Sequence, residues 1–223
     1  ARVEAFLLFS LLFSSALATQ GFDLSYFQGP LDKSVFECLY DDGYHFGTIE
    51  GTAGTGGYNP YCAQNVKHAL NAGMNHVDVY IFPETSGNAT AEMNSLIHDL
   101  KQDGSLTDNM VWMDIEGTQY WSSSCSDNKS WLKDAIKEID HKYTGCGKST
   151  CVGIYTSESQ WSPIMCNTDD FKDYKLWYAD WDGNKSFDDF VSFGGWNSPY
   201  MKQYAGTTDK CGTQIDKDYK DPN

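Results

Sequence analysis

The chain has 223 residues, and its 31 aspartates and glutamates against 16 lysines and arginines give a formal net charge of −15. This length fits one large domain or two small ones, and α/β barrels commonly fill it as one domain. The negative balance makes nucleic acid and anionic membranes poor partners, and we expect neither, because the sequence has no basic patch that would release their counterions. Aromatic residues make up 15% of the chain, which suits a glycan-binding cleft because aromatic faces stack on sugar rings.

Residues 1–18 have the pattern of a secretory signal peptide. Arg2 precedes an apolar run over residues 5–13, and residues 16–18 (Ala-Leu-Ala) have the small-x-small pattern that signal peptidase cleaves. The run is too short to span a membrane, and no later segment is long and apolar enough to do so. We therefore expect a mature protein that starts near Thr19 and is secreted or delivered to a phagosomal or lysosomal lumen.

Short apolar runs then alternate with amphipathic stretches, and no linker or internal repeat divides residues 19–223. The predicted strands are 21–25, 45–50, 76–82, 109–116, 151–155, 176–181, 199–204 and 213–216. The predicted helices are 62–70, 89–101, 129–143 and 157–166. Strands that alternate with helices imply a parallel sheet, so this order predicts a single-domain α/β barrel of the TIM type with an incomplete helical coat.

The cysteine pattern favours disulfide bonds over a zinc site, because no CxxC or CxxH spacing occurs. The seven cysteines are Cys38, Cys62, Cys125, Cys146, Cys151, Cys166 and Cys211. Their odd number leaves at least one thiol unpaired. Cys146 and Cys151 flank a Gly/Ser-rich turn and are predicted to pair locally, whereas spacing does not determine the other pairs. Three sequons, candidate glycosylation sites on surface loops, start at Asn88, Asn128 and Asn184.

Asp114 and Glu116 close the fourth predicted strand and are the main candidates for catalysis. Side chains two residues apart leave the same face of a strand, roughly 7 Å apart at their Cβ atoms. The apolar neighbours indicate a buried strand, where desolvation and the charge of the other carboxylate raise a carboxyl pKa. A carboxyl group that keeps its proton can act as a general acid.

Other polar and aromatic residues recur at the predicted strand ends, where catalytic groups of α/β barrels lie. These further candidates are Asp23, Tyr80, Tyr155, Trp181, Gln203 and Asp216. No convincing nucleophilic serine or cysteine context occurs, and no phosphate-binding loop. The five histidines lack metal-ligand spacing. The sequence therefore predicts carboxylate chemistry with no metal and no cofactor.

In this arrangement the chain resembles the glycoside hydrolase family 25 muramidases, the Chalaropsis-type lysozymes, and within them the secreted lysozymes of bacteria-feeding eukaryotes. The resemblance runs in order through the whole predicted mature chain. Its motifs are Gly-Phe-Asp-Leu-Ser at 21–25 with Gln-Gly at 28–29, the segment 65–73, Val-Tyr at 79–80, Met-Asp-Ile-Glu at 113–116, Gly-Ile-Tyr at 153–155, Leu-Trp-Tyr-Ala at 176–179, Gln-Tyr at 203–204 and Asp216.

The resemblance implies a (β/α)5(β)3 barrel that hydrolyses the β-1,4 bond between N-acetylmuramic acid and N-acetylglucosamine in bacterial peptidoglycan. We expect the protein to be a monomer. Glu116 matches the family's proton donor, Asp114 its partner carboxylate, and Asp23 and Asp216 two further acids of the cleft. The sugar contacts that it implies are Tyr80, Tyr155, Trp181 and Gln203. Glu50 departs from the family pattern, because many relatives carry a basic residue near the end of the second strand.

Two other functions fit parts of this pattern. A chitinase-like barrel also carries Asp-x-Glu on its fourth strand, but its fuller pattern has another aspartate where this chain has Trp112. A non-catalytic glycan-binding barrel is the second, although such losses usually replace the acids that are all present here. The sequence leaves open whether the reaction retains or inverts the anomeric configuration, since this depends on the gap between carboxyl groups.

Overall fold

The computed structural model describes residues 19–221, which form a closed barrel of eight strands with helices packed on its outside. The strands are β1 (Thr19–Leu24), β2 (Tyr44–Glu50), β3 (His76–Ile81), β4 (Val111–Asp114), β5 (Val152–Thr156), β6 (Lys175–Ala179), β7 (Met201–Lys210) and β8 (Thr213–Lys220). The helices are α1 (Lys33–Asp41), α2 (Cys62–Asn71), α3 (Ala89–Gln102), α4 (Cys125–Lys142) and α5 (Glu158–Met165), with short 3-10 helices at Tyr26–Gln28 and Thr118–Tyr120. The predicted signal peptide lies outside the described residues.

The strands pair in chain order, and β8 closes the barrel against β1. The pairs from β1–β2 through β6–β7 are parallel, whereas β8 is antiparallel to both β7 and β1. A helix follows each of the first five strands, and within the described residues none follows the last three. This is the (β/α)5(β)3 barrel with an incomplete coat that the sequence predicted.

Two apolar regions hold the barrel together. One lies between the strands and the helices, and the other fills the barrel interior with large side chains: Phe46, Tyr80, Met110, Trp112, Tyr155, Trp177 and Met201. Glycines on neighbouring strands make room for two of these rings. A Cβ at Gly21 would lie 2.2 Å from the Phe46 ring, and one at Gly153 would lie 2.3 Å from the Trp112 ring.

Helix α1 was absent from the sequence-based prediction. It buries Phe36 and Leu39, which are three residues apart and therefore lie on one face of the helix. Asp32 precedes it in an extended conformation, at the position where helices prefer a short polar residue. With α1 present, the first β/α unit is complete and the order of the barrel is regular from its beginning.

The last two strands are longer than predicted, and together they form an antiparallel hairpin. Strand β8 continues beyond Asp216, which was its predicted end, through Asp218 to Lys220. The side chains of Asp218 and Lys220 are buried inside the barrel. Because a strand of alternating acids and lysines has the composition of an exposed segment, its sequence gave no indication of this burial.

Three disulfide bonds join Cys38 to Cys211, Cys125 to Cys166, and Cys146 to Cys151. The predicted local pair is therefore confirmed, and Cys62 is the remaining free, buried thiol. Disulfide bonds of this kind form in proteins that fold in oxidising compartments. Within residues 19–221, no helix is both long enough and apolar enough to cross a bilayer.

The expectation that all three sequons lie on surface loops is wrong for one of them. Asn128 is buried on α4, and its amide donates to the carbonyl oxygens of Ser122 at 2.8 Å and Ile164 at 2.9 Å. A glycan on this nitrogen would break both bonds. Asn88 and Asn184 are exposed and remain candidate glycosylation sites.

Candidate active site

The C-terminal ends of the parallel strands form a mouth that gathers carboxyl groups from four strands and one loop. They are Asp23 on β1, Glu50 at the end of β2, Asp114 at the end of β4, Glu116 in the loop that follows, and Asp216 and Asp218 on β8. Asp23 and Asp216 are direct partners in the β1–β8 register, because β8 runs antiparallel and enters the barrel at the mouth. A cleft of about 190 Å³ opens here, lined by Asp23, Ser25, Gln28, Tyr80, Thr207, Gln214 and Asp216.

Gln203 on β7 connects most of the predicted site residues. Its side-chain oxygen accepts hydrogen bonds from the Tyr155 hydroxyl at 2.8 Å and from Nε1 of Trp181 at 2.8 Å. Its side-chain nitrogen donates to Asp23 at 2.8 Å and to Asp216 at 3.3 Å. One buried amide thus fixes two aromatic side chains and two acids, and it uses its full hydrogen-bonding capacity.

Asp114 is buried, and its Oδ1 atom has no hydrogen-bond partner in the described part of the chain. Burial raises the pKa of this carboxyl well above the usual aspartate range, and the charges of Glu116, Glu50 and Asp23 raise it further. A buried polar atom without a partner is rare in folded proteins because it loses its bonds to water and gains none. The unpartnered atom therefore identifies a place where a ligand can supply the missing donor.

Glu116 lies two residues beyond the end of β4 and is half-buried. The prediction placed it on the strand itself. The backbone ladder reaches only to Ile115, whose N–H donates to the Tyr155 carbonyl at 2.9 Å, and Gly117 then turns the chain with a φ of 68°.

Burial raises the pKa of Glu116, and the charge that adds to this effect is that of Asp216, not that of Asp114 as predicted. The charge of Glu116 is in turn among the causes that raise the pKa of Asp114.

Asp218 was not among the predicted site residues. Burial raises its pKa well above the usual range, followed by the charge of Asp23. Its Oδ1 accepts from Nε1 of Trp177 at 2.9 Å, while its Oδ2 has no hydrogen-bond partner among the described residues. The pKa of Asp23 is likewise raised, by burial first and then by Asp216. Burial and neighbouring negative charge thus make both carboxyl groups hold their protons into a higher pH range than ordinary aspartates.

Glu50 stands where the family resemblance leads one to expect a basic residue. Its carboxylate is buried and accepts from the Tyr26 N–H at 2.7 Å, the Thr52 hydroxyl at 3.0 Å and the Tyr80 hydroxyl at 3.2 Å. Burial raises its pKa, and these hydrogen bonds partly oppose the shift. Tyr80, predicted as a sugar contact, is thereby fixed at the mouth through an acid rather than a base.

Trp181 is the most exposed of the predicted site residues, with 61% of its surface accessible. It follows β6, whose end at Ala179 is two residues earlier than predicted. Gly206 on β7 packs against the indole, and a Cβ there would lie 2.4 Å from the ring. Because Gln203 holds its N–H, the ring has a fixed position beside the acids while one face stays accessible to a ligand.

The mouth of this barrel combines carboxyl groups of raised pKa with a fixed and exposed indole. This combination places the chain in the class of barrel glycoside hydrolases. The comparisons with known proteins agree. A family model described as Lysozyme-like protein 1 matches residues 16–204. A Dictyostelium discoideum protein named probable GH family 25 lysozyme 5 is 38% identical over 223 residues, which cover 97% of each chain. The chain belongs to the glycoside hydrolase family 25 lysozymes.

Two further matches show how far the similarity extends. The structure of a family GH25 lysozyme from Aspergillus fumigatus matches with a TM-score of 0.70 at 25% identity, covering 90% of this chain and 93% of that one. Counting factor 50 of D. discoideum is 36% identical over 195 residues, covering 85% of this chain and 62% of that protein. Similarity to this chain thus extends to a protein whose name is not that of a lysozyme.

Proposed function

We propose that the protein is an N-acetylmuramidase that hydrolyses the β-1,4 bond between N-acetylmuramic acid and N-acetylglucosamine in bacterial peptidoglycan. The observation that carries this proposal is the pair at the end of β4. Asp114 presents a buried carboxyl oxygen without a partner, and two residues later Glu116 has a raised pKa in a half-buried position. The two carboxyl groups have different environments, which is what distinct roles in glycoside hydrolysis require.

Glu116 is the proton donor. With its pKa raised by burial and by Asp216, the carboxyl holds its proton into a higher pH range than an ordinary glutamate. It transfers this proton to the glycosidic oxygen as the bond from that oxygen to the anomeric carbon breaks. The leaving sugar departs with a hydroxyl group, and Glu116 is left as a carboxylate that can take a proton from an incoming water.

Asp114 orients the N-acetyl group of the sugar whose anomeric carbon reacts. The amide N–H of that group donates to the free Oδ1 atom, and the acetamido oxygen then attacks the anomeric carbon from the face opposite the leaving oxygen. The hydrogen bond and the positive charge that develops on the acetamide both favour the ionised form of Asp114. Water opens the resulting ring, and the product retains its configuration.

A direct route, in which a carboxylate activates water on the opposite face, would invert the configuration instead. Asp23 and Asp216 are the acids available for that role, since both border the cleft. Proton NMR of the first product formed distinguishes the routes, because the neighbouring-group route releases the β-anomer and the direct route the α-anomer.

The remaining site residues bind the glycan. The exposed face of Trp181 offers a stacking surface for a sugar ring, Tyr80 lines the cleft, and Tyr155 and Gln203 support these residues through hydrogen bonds. We propose that the enzyme acts as a monomer, after secretion or in a phagosomal or lysosomal lumen. The three disulfide bonds and the raised carboxyl pKa values suit an oxidising and acidic compartment.

Clearing of a bacterial cell-wall suspension by the secreted protein tests this function. We expect the turbidity to fall and the new reducing ends to be N-acetylmuramic acid. Reducing ends of N-acetylglucosamine, or cleavage of chitin in preference to cell walls, would identify a chitinase-like enzyme. That alternative has little support, because Trp112 is buried in the barrel and donates to Asp78 at 3.0 Å, so no acid reaches the mouth from its position.

A non-catalytic glycan-binding barrel is the second candidate, favoured by the similarity to a protein named counting factor rather than lysozyme. It predicts that the protein sediments with cell walls but clears none of them. The retention of Asp23, Asp114, Glu116 and Asp216 at one mouth speaks against it, since a binding protein has no need of buried acids with raised pKa values.

A further inference from the structure

A group of lysines lies at the N-terminal ends of the strands, at the opposite end of the barrel from the carboxyl groups. Lys175 is the first residue of β6, and Lys220 is the last residue of the antiparallel β8. Lys148 lies in the segment that leads into β5. These three lysines, the floor cluster, are far apart in sequence, so the chain has a basic patch that its sequence did not indicate.

Two aromatic rings and a thioether bring the ammonium groups together. Nζ of Lys175 lies 3.4 Å from the centre of the Tyr200 ring, and Nζ of Lys220 lies 5.1 Å from the same ring and 4.2 Å from that of Phe46. Nζ of Lys148 lies 3.7 Å from Sδ of Met110. Rings and sulfur provide weak acceptors, so the three charges converge without a strong anionic partner.

Two carboxyl groups act on the floor cluster, Asp78 on Lys175 and Lys220 and Asp218 on Lys220 alone. Within residues 19–221, the one ion pair of the three lysines joins Lys220 to Asp78 at a long 3.9 Å. Both oxygens of Asp78 already accept other hydrogen bonds, from the Met110 N–H at 2.9 Å and from Nε1 of Trp112 at 3.0 Å. Lys220 instead donates to Nε2 of His76 at 2.8 Å. A surplus of positive charge thus persists in a chain whose formal net charge is −15.

The pKa values near the floor cluster reflect repulsion among its positive charges. Burial lowers the pKa of Lys175 to about 8, and the charge of Lys148 is the next cause. Burial, followed by the charge of Lys220, lowers the pKa of His76 to about 4, so its ring is neutral and free to accept from Lys220. Asp78 opposes both shifts without cancelling them. A bound anion would relieve this repulsion and satisfy the donors.

We propose that the floor cluster binds a tetrahedral oxyanion, phosphate or sulfate, either free or as the end group of a larger ligand. Oxygens of such an anion accept from the ammonium groups of Lys148 and Lys175, which are accessible to solvent. Lys220, which is buried in the barrel, adds its positive charge without direct contact. Lysine binds phosphate as a point charge, so several convergent lysines suit it. The site is independent of the lytic reaction at the other end of the barrel.

Isothermal titration calorimetry with inorganic phosphate, in buffers of constant ionic strength adjusted with chloride, tests the proposal on the secreted protein. We expect one phosphate per chain. Lys148→Gln and Lys175→Gln should each weaken its affinity at least about tenfold. Lys137→Gln, which removes the same charge from an exposed position on α4, should change it less than about twofold. No binding to the wild type, or equal binding by all variants, would overturn the proposal.

Thermal unfolding in phosphate-free buffer separates a binding role from a structural one. Because the lysines repel one another, Lys148→Gln should leave the midpoint unchanged or raise it. A lower midpoint for this variant would make the lysine a structural element and contradict the proposal. Vesicles containing anionic phospholipid distinguish the source of the phosphate: binding to vesicles that free phosphate displaces identifies a lipid headgroup, and phosphate binding without vesicle binding identifies a small anion. Vesicle binding that phosphate does not displace would exclude the site.

Discussion

The Cys38–Cys211 disulfide should be the most important cross-link for stability, because it closes by far the longest loop. It joins α1 to the turn of the β7–β8 hairpin across a sequence separation of 173 residues. The chain-entropy relation gives about 5 kcal/mol for a loop of this size. The Cys146–Cys151 bond spans a separation of only 5 residues, for which the same relation gives about 2 kcal/mol.

We therefore expect the double variant Cys38→Ser/Cys211→Ser to lose more stability than Cys146→Ser/Cys151→Ser. At about 2–4 °C per kcal/mol for a domain of this size, the midpoints should fall by roughly 10–20 °C and 4–8 °C. Cys38 is exposed and Cys211 half-buried, whereas Cys151 is buried, so serine adds the larger burial cost in the short-loop variant. The measured difference between the two variants is then a lower limit on the difference caused by loop entropy.

Calorimetry at a single pH, with peptide mapping to verify the remaining disulfide bonds, measures both losses. Equal losses, or a larger loss for the short loop, would refute the reasoning from loop entropy. The native protein under reducing conditions gives an upper bound on the loss of stability, since it loses all three disulfide bonds at once.

Three further predictions concern the mouth. Cell-wall clearing should be fastest in acid and decline as pH rises through the raised pKa of Glu116, so an optimum above neutrality would contradict the assignment. The pKa values of Asp23 and Asp114 are higher in the folded protein than in the unfolded chain. Their contribution to the free energy of unfolding is therefore complete below the unfolded pKa of about 4. It is lost as the pH rises through the folded pKa. The melting temperature should accordingly decrease as the pH is raised from about 4 to about 7. An increase over that range would be inconsistent with neutral buried acids. Gln203→Leu should lower kcat/KM for wall fragments at least about tenfold and stability by about 2–4 kcal/mol, because the hydrogen bonds of four side chains lose their partner; unchanged kinetics would show that the network is not needed for catalysis.

The sequence predicted the barrel and most of its mouth because both depend on short-range patterns. Strand and helix periodicity set the order of elements, and the rule that parallel strands end at one edge brought Asp23, Asp114, Tyr155 and Gln203 together. Their hydrogen bonds and mutual charge effects in the structure agree with that expectation.

What could not be predicted depends on burial that composition conceals. Asp218 and Lys220 lie on a strand whose alternating charges are typical of an exposed segment, although the closed barrel buries both. The charge effect of Asp216 on Glu116 crosses the mouth from β8 and requires the register of the closed sheet. Helix α1, by contrast, carried a readable signal in the spacing of Phe36 and Leu39.

The central claim, that Glu116 is the proton donor, is tested most directly by Glu116→Gln in the wall-clearing assay. Glutamine keeps the shape of the side chain but cannot donate the proton that the leaving oxygen needs. Glu37→Gln is the matched control, since it makes the same chemical change on α1 and removes only an exposed ion pair with Lys33.

We expect Glu116→Gln to fold normally, to sediment with cell walls like the wild type, and to lose at least about a thousandfold in clearing rate, whereas Glu37→Gln should keep wild-type activity. Clearing by Glu116→Gln within a few-fold of the wild-type rate would contradict the account, because the proton would then come from another group.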